Sequence, residues 1–346
     1  MATVFPRFFC FAEGFARPRT QRASWRPFAL ASLFVVTSLW AGSAWSAPAK
    51  PGLEKIKLYL NWKAEPEFGG FYEAKRLGLF EKAGFDVDLI EGGAGTPVVQ
   101  MVGSGSAEFG IASADEVVLS QDRGTDVVAL FAVHQTSPQG VLTHSERGFK
   151  NLAEVVQSEG TLSMQLGAGF TLFLKKKYGS QFKARLVPYA GGIGPFLADP
   201  KLSQQCYVSA EPLAAEKKGA KVRAFLIAES GFNPYNTVVI ARRAQVQKDE
   251  ARSRRLLQAI REGWKAYLRN PAETNALMQK LNPSMDAETF AAIAQKEREF
   301  IETRETRKRG LGSMSAARWE TLSQQLVEIG LIQKAPVSDH LFWNLL

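Results

Sequence analysis

The segment Asn61-Trp62-Lys63-Ala64-Glu65-Pro66-Glu67-Phe68-Gly69-Gly70-Phe71-Tyr72 puts two carboxylates beside a run of aromatic rings. Acids spaced like Glu65 and Glu67 can mimic a catalytic dyad. In an aromatic loop they more readily accept hydrogen bonds from donors on a bound molecule, while flat rings supply apolar walls. Trp62 and Phe71 also fit as plain core residues. Ser113-Ala114-Asp115 opens a helical pattern and offers its orphan N–H groups to a carbonyl or an anion. Gly167-Ala168-Gly169 does the same ahead of Phe170, without the Lys-Ser/Thr that completes a phosphate loop. Tyr189-Ala190-Gly191-Gly192 sets an aromatic face beside bare backbone. Glu211 follows a strand-like run, and Asn233-Pro234-Tyr235 precedes another.

Other chemistries are poorly supplied. Cys10 lies in the N-terminal leader, which leaves Cys206 alone, without a disulfide partner or a cysteine metal site. His134, His144 and His340 lack ligand spacing, so hydrogen-bonded structural roles are expected. No Gly-x-Ser-x-Gly elbow or zinc spacing is present. The basic residues are scattered apart from Lys175-Lys176-Lys177 and Arg307-Lys308-Arg309, which read as solvated faces, and no nucleic-acid reader motif accompanies them.

The elements that must position these residues alternate between strand and helix. Strand patterns run over 56–60, 85–90, 109–112, 126–133, 161–166, 184–189, 205–209, 222–228 and 238–240; helical patterns run over 71–77, 79–83, 98–102, 152–156, 170–178 and 212–218. Thr96-Pro97 reads as an N-cap followed by an N1 proline, and Asp115 and Glu116 sit where a helix dipole favours acids. From Val246 the pattern is helical, with Glu297 the one polar interruption of an apolar stripe from Phe290 to Ile301. Repeated strand–helix units imply parallel sheets. Two such sets with a helical tail suggest two α/β lobes around a cleft, and in such sheets ligands bind at the carboxyl ends of strands.

Residues 1–46 carry five arginines and one acid, then an apolar run from Pro27 to Trp40, then small residues to Ala47. This is the order of a secretory signal peptide, with a cut expected after Ser46. An uncleaved membrane anchor is the alternative; with no cysteine after the run, a lipoprotein anchor is not expected. The whole chain carries +9, and the remainder beyond the leader, about +5, is a weak excess that speaks to solubility.

Leu60-Asn-Trp, Gly69-Gly-Phe-Tyr-Glu-Ala, Gly78-Leu-Phe-Glu-Lys-Ala-Gly-Phe-Asp-Val, Gly92-Gly-Ala-Gly-Thr-Pro and Gln100-Met-Val-Gly-Ser-Gly-Ser-Ala-Glu-Phe-Gly-Ile-Ala, in that order, resemble the opening of periplasmic solute-binding proteins of ABC importers. The branch is that of thiamine-pyrimidine-precursor binders, with sulfonate and nitrate binders as cousins. Asp115-Glu-Val, Gln135-Thr-Ser-Pro, Gln204-Gln-Cys-Tyr-Val-Ser-Ala-Glu-Pro and Glu229-Ser-Gly-Phe-Asn-Pro-Tyr continue the resemblance. It implies a type II periplasmic binding protein: lobe one over 53–139 plus 241–346, lobe two over 140–240, and crossing segments near 141–143 and 236–240. It also implies a monomer with no cofactor and no nucleic acid, which delivers a small solute to a permease and its ATPase. Taken with the loops above, the expected ligand-binding residues are Asn61, Trp62, Glu67, Phe68, Ser113, Asp115, Gln135, Gly167, Gly169, Tyr189, Gly191, Glu211, Asn233 and Tyr235. Acids and aromatics fit a neutral or cationic heterocycle such as an aminopyrimidine better than an anion, with Lys63 the exception. Two alternatives are an enzyme of the pyrimidine-synthesising kind, disfavoured by the single remaining cysteine, and a ligand-sensing subunit of a signalling receptor.

Overall fold

The computed structural model describes residues 52–93 and 95–346; the leader and its expected cut site lie outside the described residues. In chain order the elements are β1 (Glu54–Tyr59), α1 (Gly69–Arg76), α2 (Leu79–Lys82), β2 (Phe85–Ile90), α3 (Val98–Ser104), β3 (Phe109–Ala112), α4 (Ala114–Asp122), β4 (Val127–His134) and β5 (Gln139–His144). Then come α5 (Leu152–Gln157), β6 (Thr161–Met164), α6 (Gly169–Tyr178), β7 (Arg185–Pro188), α7 (Gly194–Ala198), β8 (Leu202–Tyr207), α8 (Glu211–Lys217), β9 (Val222–Leu226) and β10 (Asn236–Arg242). The tail holds α9 (Arg243–Lys248), α10 (Glu250–Arg269), α11 (Ala272–Leu281), α12 (Ala287–Ile301), α13 (Arg304–Arg309) and α14 (Ala316–Glu328). None of the described helices is long and apolar enough to cross a membrane.

Among the described residues the strands form two five-stranded sheets, ordered β2-β1-β3-β10-β4 and β7-β6-β8-β5-β9. The sheets are mixed, not parallel throughout. β10 runs antiparallel to β3 and β4, and β5 antiparallel to β8 and β9. Each is the strand that arrives from the other sheet, so it enters against the direction of its hosts. An apolar run such as Val127–His134, buried along its whole length, records burial on both faces but not direction. The segments read as crossings therefore lie inside β5 and β10, and the chain passes between the sheets at 135–138 and 227–235.

One core cluster sets Ile56, Leu58, Phe85, Phe109 and Phe131 of the first sheet against Leu256, Leu257, Ile260 and Trp264 of α10. Two glycines allow the approach of α1 to α10. A Cβ on Gly69 would lie 2.1 Å from Tyr267 Cζ, and one on Gly70 would lie 2.2 Å from Trp264 Cδ2. A second cluster is continuous between the sheets: Val98, Val117 and Ile240 belong to it, as do Val141, Leu162 and Leu174, with Trp319, Leu322 and Leu326 of α14. The C-terminal strap covers the edge of β4, where Ala129 N donates to Leu341 O (2.9 Å) and Trp343 N donates to Ala129 O (2.8 Å). Covering a strand edge satisfies its backbone groups and blocks stray pairing.

Thr96 does not cap α3. Its hydroxyl accepts from Gly93 N at 2.9 Å, closing its own turn, and Pro97 takes the cap position. Short polar side chains choose between such local partners.

Candidate functional site

A cavity of about 660 Å³ lies between the sheets, within the usual range for small-molecule sites. Its walls come from the loops after β1, β2, β6 and β7, the ends of β3 and β8, and both crossovers. Asn61, Trp62, Glu67, Ser113, Asp115, Gly167, Gly169, Tyr189 and Glu211 all line it. The strand-end rule for open sheets accounts for the convergence.

Phe68, Gln135, Gly191, Asn233 and Tyr235 are not in that wall. Phe68 is fully buried in the core beneath α10. The Gln135 amide donates to Ala132 O and Ser313 O, each at 3.1 Å. Asn233 Oδ1 accepts from Ser137 N at 2.8 Å and so ties one crossover to the other. Tyr235 takes the Ser315 N–H on its hydroxyl at 3.0 Å and carries the Arg318 guanidinium 3.8 Å above its ring. Gly191 turns the loop next to Tyr189, with φ of +83°. Glu65, which the sequence pairs with Glu67 as an acceptor for donors on a bound molecule, lines the cavity, as do Phe170, Gln205 and Tyr207, which the sequence does not single out as contacts. Phe170 follows Gly169, so proximity in the chain is the available signal for it. Gln205 and Tyr207 end a strand that enters the cleft; Gln205 Oε1 accepts from Gln165 N at 2.6 Å.

Both helix N-termini facing the cleft are already answered by acids of the chain. Glu116 Oε2 accepts from the Ser113 backbone N–H (2.8 Å) and hydroxyl (2.9 Å) in a capping box. The Asp115 carboxylate stands at the start of α6, where a Cβ on Gly169 would meet its Oδ2 at 3.1 Å. A carboxylate at that end is favourable, and it occupies the place an anionic ligand would need. Asp115 Oδ2 and the Gly169 backbone face each other from helices on different sheets.

Burial shapes the acid wall. It pushes the Glu65 carboxyl to about 7, with the nearby Glu211 adding to the shift and hydrogen bonds from Trp62 and Asn282 opposing it. Burial also pushes Glu211 to about 7, against the pull of the Tyr207 N–H, which donates to its Oε2 at 2.7 Å. Glu67 is raised well above the ordinary range by burial, then by the charges of Glu65, Glu297 and Glu211. Carboxyls that hold protons more firmly when folded favour folding at low pH. That advantage is complete below about 4.5 and is lost as the pH climbs to about 7. The solute-free protein should therefore melt at a higher temperature at pH 5 than at pH 8. A scanning calorimeter checks this, and equal or reversed melting points would contradict it.

Behind the wall lies a buried polar chain. His134 Nε2 pairs with Glu297 Oε2, His134 Nδ1 meets Thr237 Oγ1 at 3.0 Å, and the Ser209 hydroxyl donates to Glu297 Oε1 at 2.5 Å. The chain joins the end of β4, the start of β10, α12 and the loop before α8. Thr237 holds φ at +49°, a strained setting for a β-branched residue, and its hydroxyl is aimed at His134. The polar interruption of the α12 stripe was the visible sign of Glu297. His144 is structural as expected: Nε2 bonds Phe196 O at 2.9 Å, and the two rings stack at 4.0 Å.

Among known proteins, the formylaminopyrimidine-binding protein of Halalkalibacterium halodurans is 20% identical over 299 residues, covering 84% of this chain and 90% of that protein. A 4-amino-5-hydroxymethyl-2-methylpyrimidine phosphate synthase of Legionella pneumophila is 22% identical over 102 residues, covering 30% of this chain and 32% of that enzyme. The crystal structure of the periplasmic aliphatic sulphonate-binding protein of Escherichia coli superposes with a TM-score of 0.65 at 16% identity, over 84% of this chain and 92% of that one. That likeness establishes the fold, the two α/β lobes of periplasmic binding proteins. A family model described as NMT1/THI5 like matches residues 65–274, more than half of the chain, which therefore belongs to the NMT1/THI5-like family.

Proposed function

We propose that this chain is an extracytoplasmic solute-binding protein that carries a small flat heterocycle of the aminopyrimidine class to an ABC permease and its ATPase. It works in the periplasm as a monomer, with residues 53–139 plus 241–346 as one lobe and 140–240 as the other. The observation that carries this reading is the cavity itself, which sits between two sheets joined by two crossovers and is lined by Trp62, Tyr189 and carboxyls. The similarity to a formylaminopyrimidine-binding protein over most of both chains supports the solute class. Sulfonates suit the site poorly, because Asp115 and Glu116 already meet the helix N-termini. Binding without chemistry fits the wall as well: burial, and then Glu211, raises the Cys206 thiol well above its ordinary value, the opposite of an activated nucleophile.

Calorimetry with formylaminopyrimidine, 4-amino-5-hydroxymethyl-2-methylpyrimidine and an alkanesulfonate tests the reading. At least one pyrimidine is expected to bind at roughly micromolar affinity or tighter, and the sulfonate not to bind. X-ray scattering should show a smaller radius of gyration with the bound pyrimidine, as hinge closure requires. Tight sulfonate binding with no pyrimidine binding would overturn the solute class.

A further inference from the structure

The cleft is rich in carboxyls and poor in cationic side chains. Glu65, Glu67, Asp115, Glu116 and Glu211 line it, against a single basic side chain, Arg123. Four of these acids already have work. Glu116 caps α4, Asp115 faces the start of α6, Glu211 takes the Tyr207 N–H, and Glu65 accepts from Asn282 Nδ2 at 3.3 Å. Glu67 does not. It is 9% exposed, opens onto the cavity, and makes no hydrogen bond or ion pair among the described residues. On the same loop the Asn61 Oδ1 acceptor is buried and also without a partner. The Glu67 carboxyl therefore opens onto the cavity with no donor from the chain, which leaves it to water or to a bound molecule. The acids do not form a metal cage: among the described residues no group of three or more His, Cys, Asp and Glu side chains is placed to hold a metal ion.

We propose that the solute is a planar nitrogen base held as a cation, with its N–H groups on the Glu67 carboxylate, and that its arrival drives a proton out of the acid wall into solvent. The proposal rests on the solute-binding reading above and narrows it. The groups that face Glu67 set the direction of the exchange. Its own loop brings Glu65, with Lys63 beyond it; α12 brings Glu297, already paired with His134 of β4; the end of β8 and the start of α8 bring Tyr207 and Glu211. Acids dominate that circle, and burial adds to their effect, so the empty site favours a protonated Glu67. A ligand cation reverses the balance. It stabilises the carboxylate, donates a charge-assisted and bidentate contact to it where the base offers two parallel N–H groups, and displaces the proton. Affinity for a permanently charged base should therefore rise with pH across the neutral range.

Three flat rings of nearly the same shape separate charge from fit: benzamidine is a cation, benzamide is neutral and benzoate is an anion. Titration calorimetry at pH 7 in two buffers of different ionisation heat reads affinity and proton release together. Benzamidine is expected to bind at least about tenfold tighter than benzamide, benzoate not at all, and up to one proton to leave per benzamidine bound. Glu67→Gln should abolish most of the proton release and bring the two rings to within roughly threefold of each other, while its melting curve reports folding. Glu65→Gln, at a half-buried neighbour, is the second variant and should lower proton release less. Equal affinity for benzamide, no affinity for benzamidine, or undiminished proton release in Glu67→Gln overturns the proposal. Those results leave solute binding standing, since that reading fails on a different observation, the absence of any pyrimidine binding.

Discussion

Glu297→Ala is expected to cost about 3–5 kcal/mol of folding stability, and to lower the melting temperature by roughly 5–15 °C for a chain of this size. Glu297 is 1% exposed and its partner His134 is fully buried. Truncation strands the His134 ring and the Ser209 hydroxyl in a dry interior, where unsatisfied groups carry their full desolvation penalty. It also opens a hole in an apolar helix face between Ile293, Ala294 and Phe300. Glu297→Gln keeps the shape and one acceptor, so it should fall between alanine and wild type. The loss should extend beyond α12, because this side chain fastens the loop before α8 to the end of β4 and, through His134, to Thr237. Differential scanning calorimetry on both variants decides it. An alanine variant that melts within a degree or two of wild type would show that the buried chain contributes little.

Trp62→Ala is expected to weaken solute binding about ten- to a hundredfold. Stacking contributes about 0.5–1.5 kcal/mol beyond the area it covers, and the lost apolar contact adds to this. Trp62 is half-buried and packs at the margin of the core beneath α10 rather than within it. A large fall in affinity with a small fall in melting temperature is therefore the expected pair. A core tryptophan would do the reverse, losing about 3–5 kcal/mol of stability on truncation. Phe71 is the useful contrast. It is fully buried, set edge-on to Trp264 at 5.8 Å, and its truncation should act on stability alone. Calorimetric titration and thermal melts on the two variants separate the roles.

Some of the fold is written locally. Phe85–Ile90 and Phe109–Ala112 have the bounds that residue alternation and an isolated apolar run assign them. What local pattern omits is direction and partnership. β5 and β10 look like any other buried strand, so nothing in their residues announces that they run against their neighbours. The short helix α7 is also invisible, because Gly191 and Gly192 precede it and Gly194 opens it, which masks a single turn around Phe196. The candidate site follows the same division. Trp62, Glu67, Asp115 and Glu211 were legible from their place after strands, since the sheet rule converts position into cleft exposure. Asn233 and Tyr235 occupy a similar position in the chain, yet they brace the crossovers against Ser137, Ser315 and Arg318. Those partners lie far away in sequence, and only the folded chain brings them together. Glu297 shows both sides at once: the lone acid in an apolar stripe marks a buried polar contact, but its partner His134 is 163 residues away.

The cleft around Trp62 is expected to hold a solute in the working protein. Native mass spectrometry of the protein isolated from its own cell envelope, beside Trp62→Ala prepared identically, tests it most directly. The expected result is a one-to-one adduct whose released mass and ultraviolet spectrum are those of a flat nitrogen heterocycle, and its loss from the variant. An adduct retained in full by Trp62→Ala, or one that proves to be a sulfonate, would contradict it.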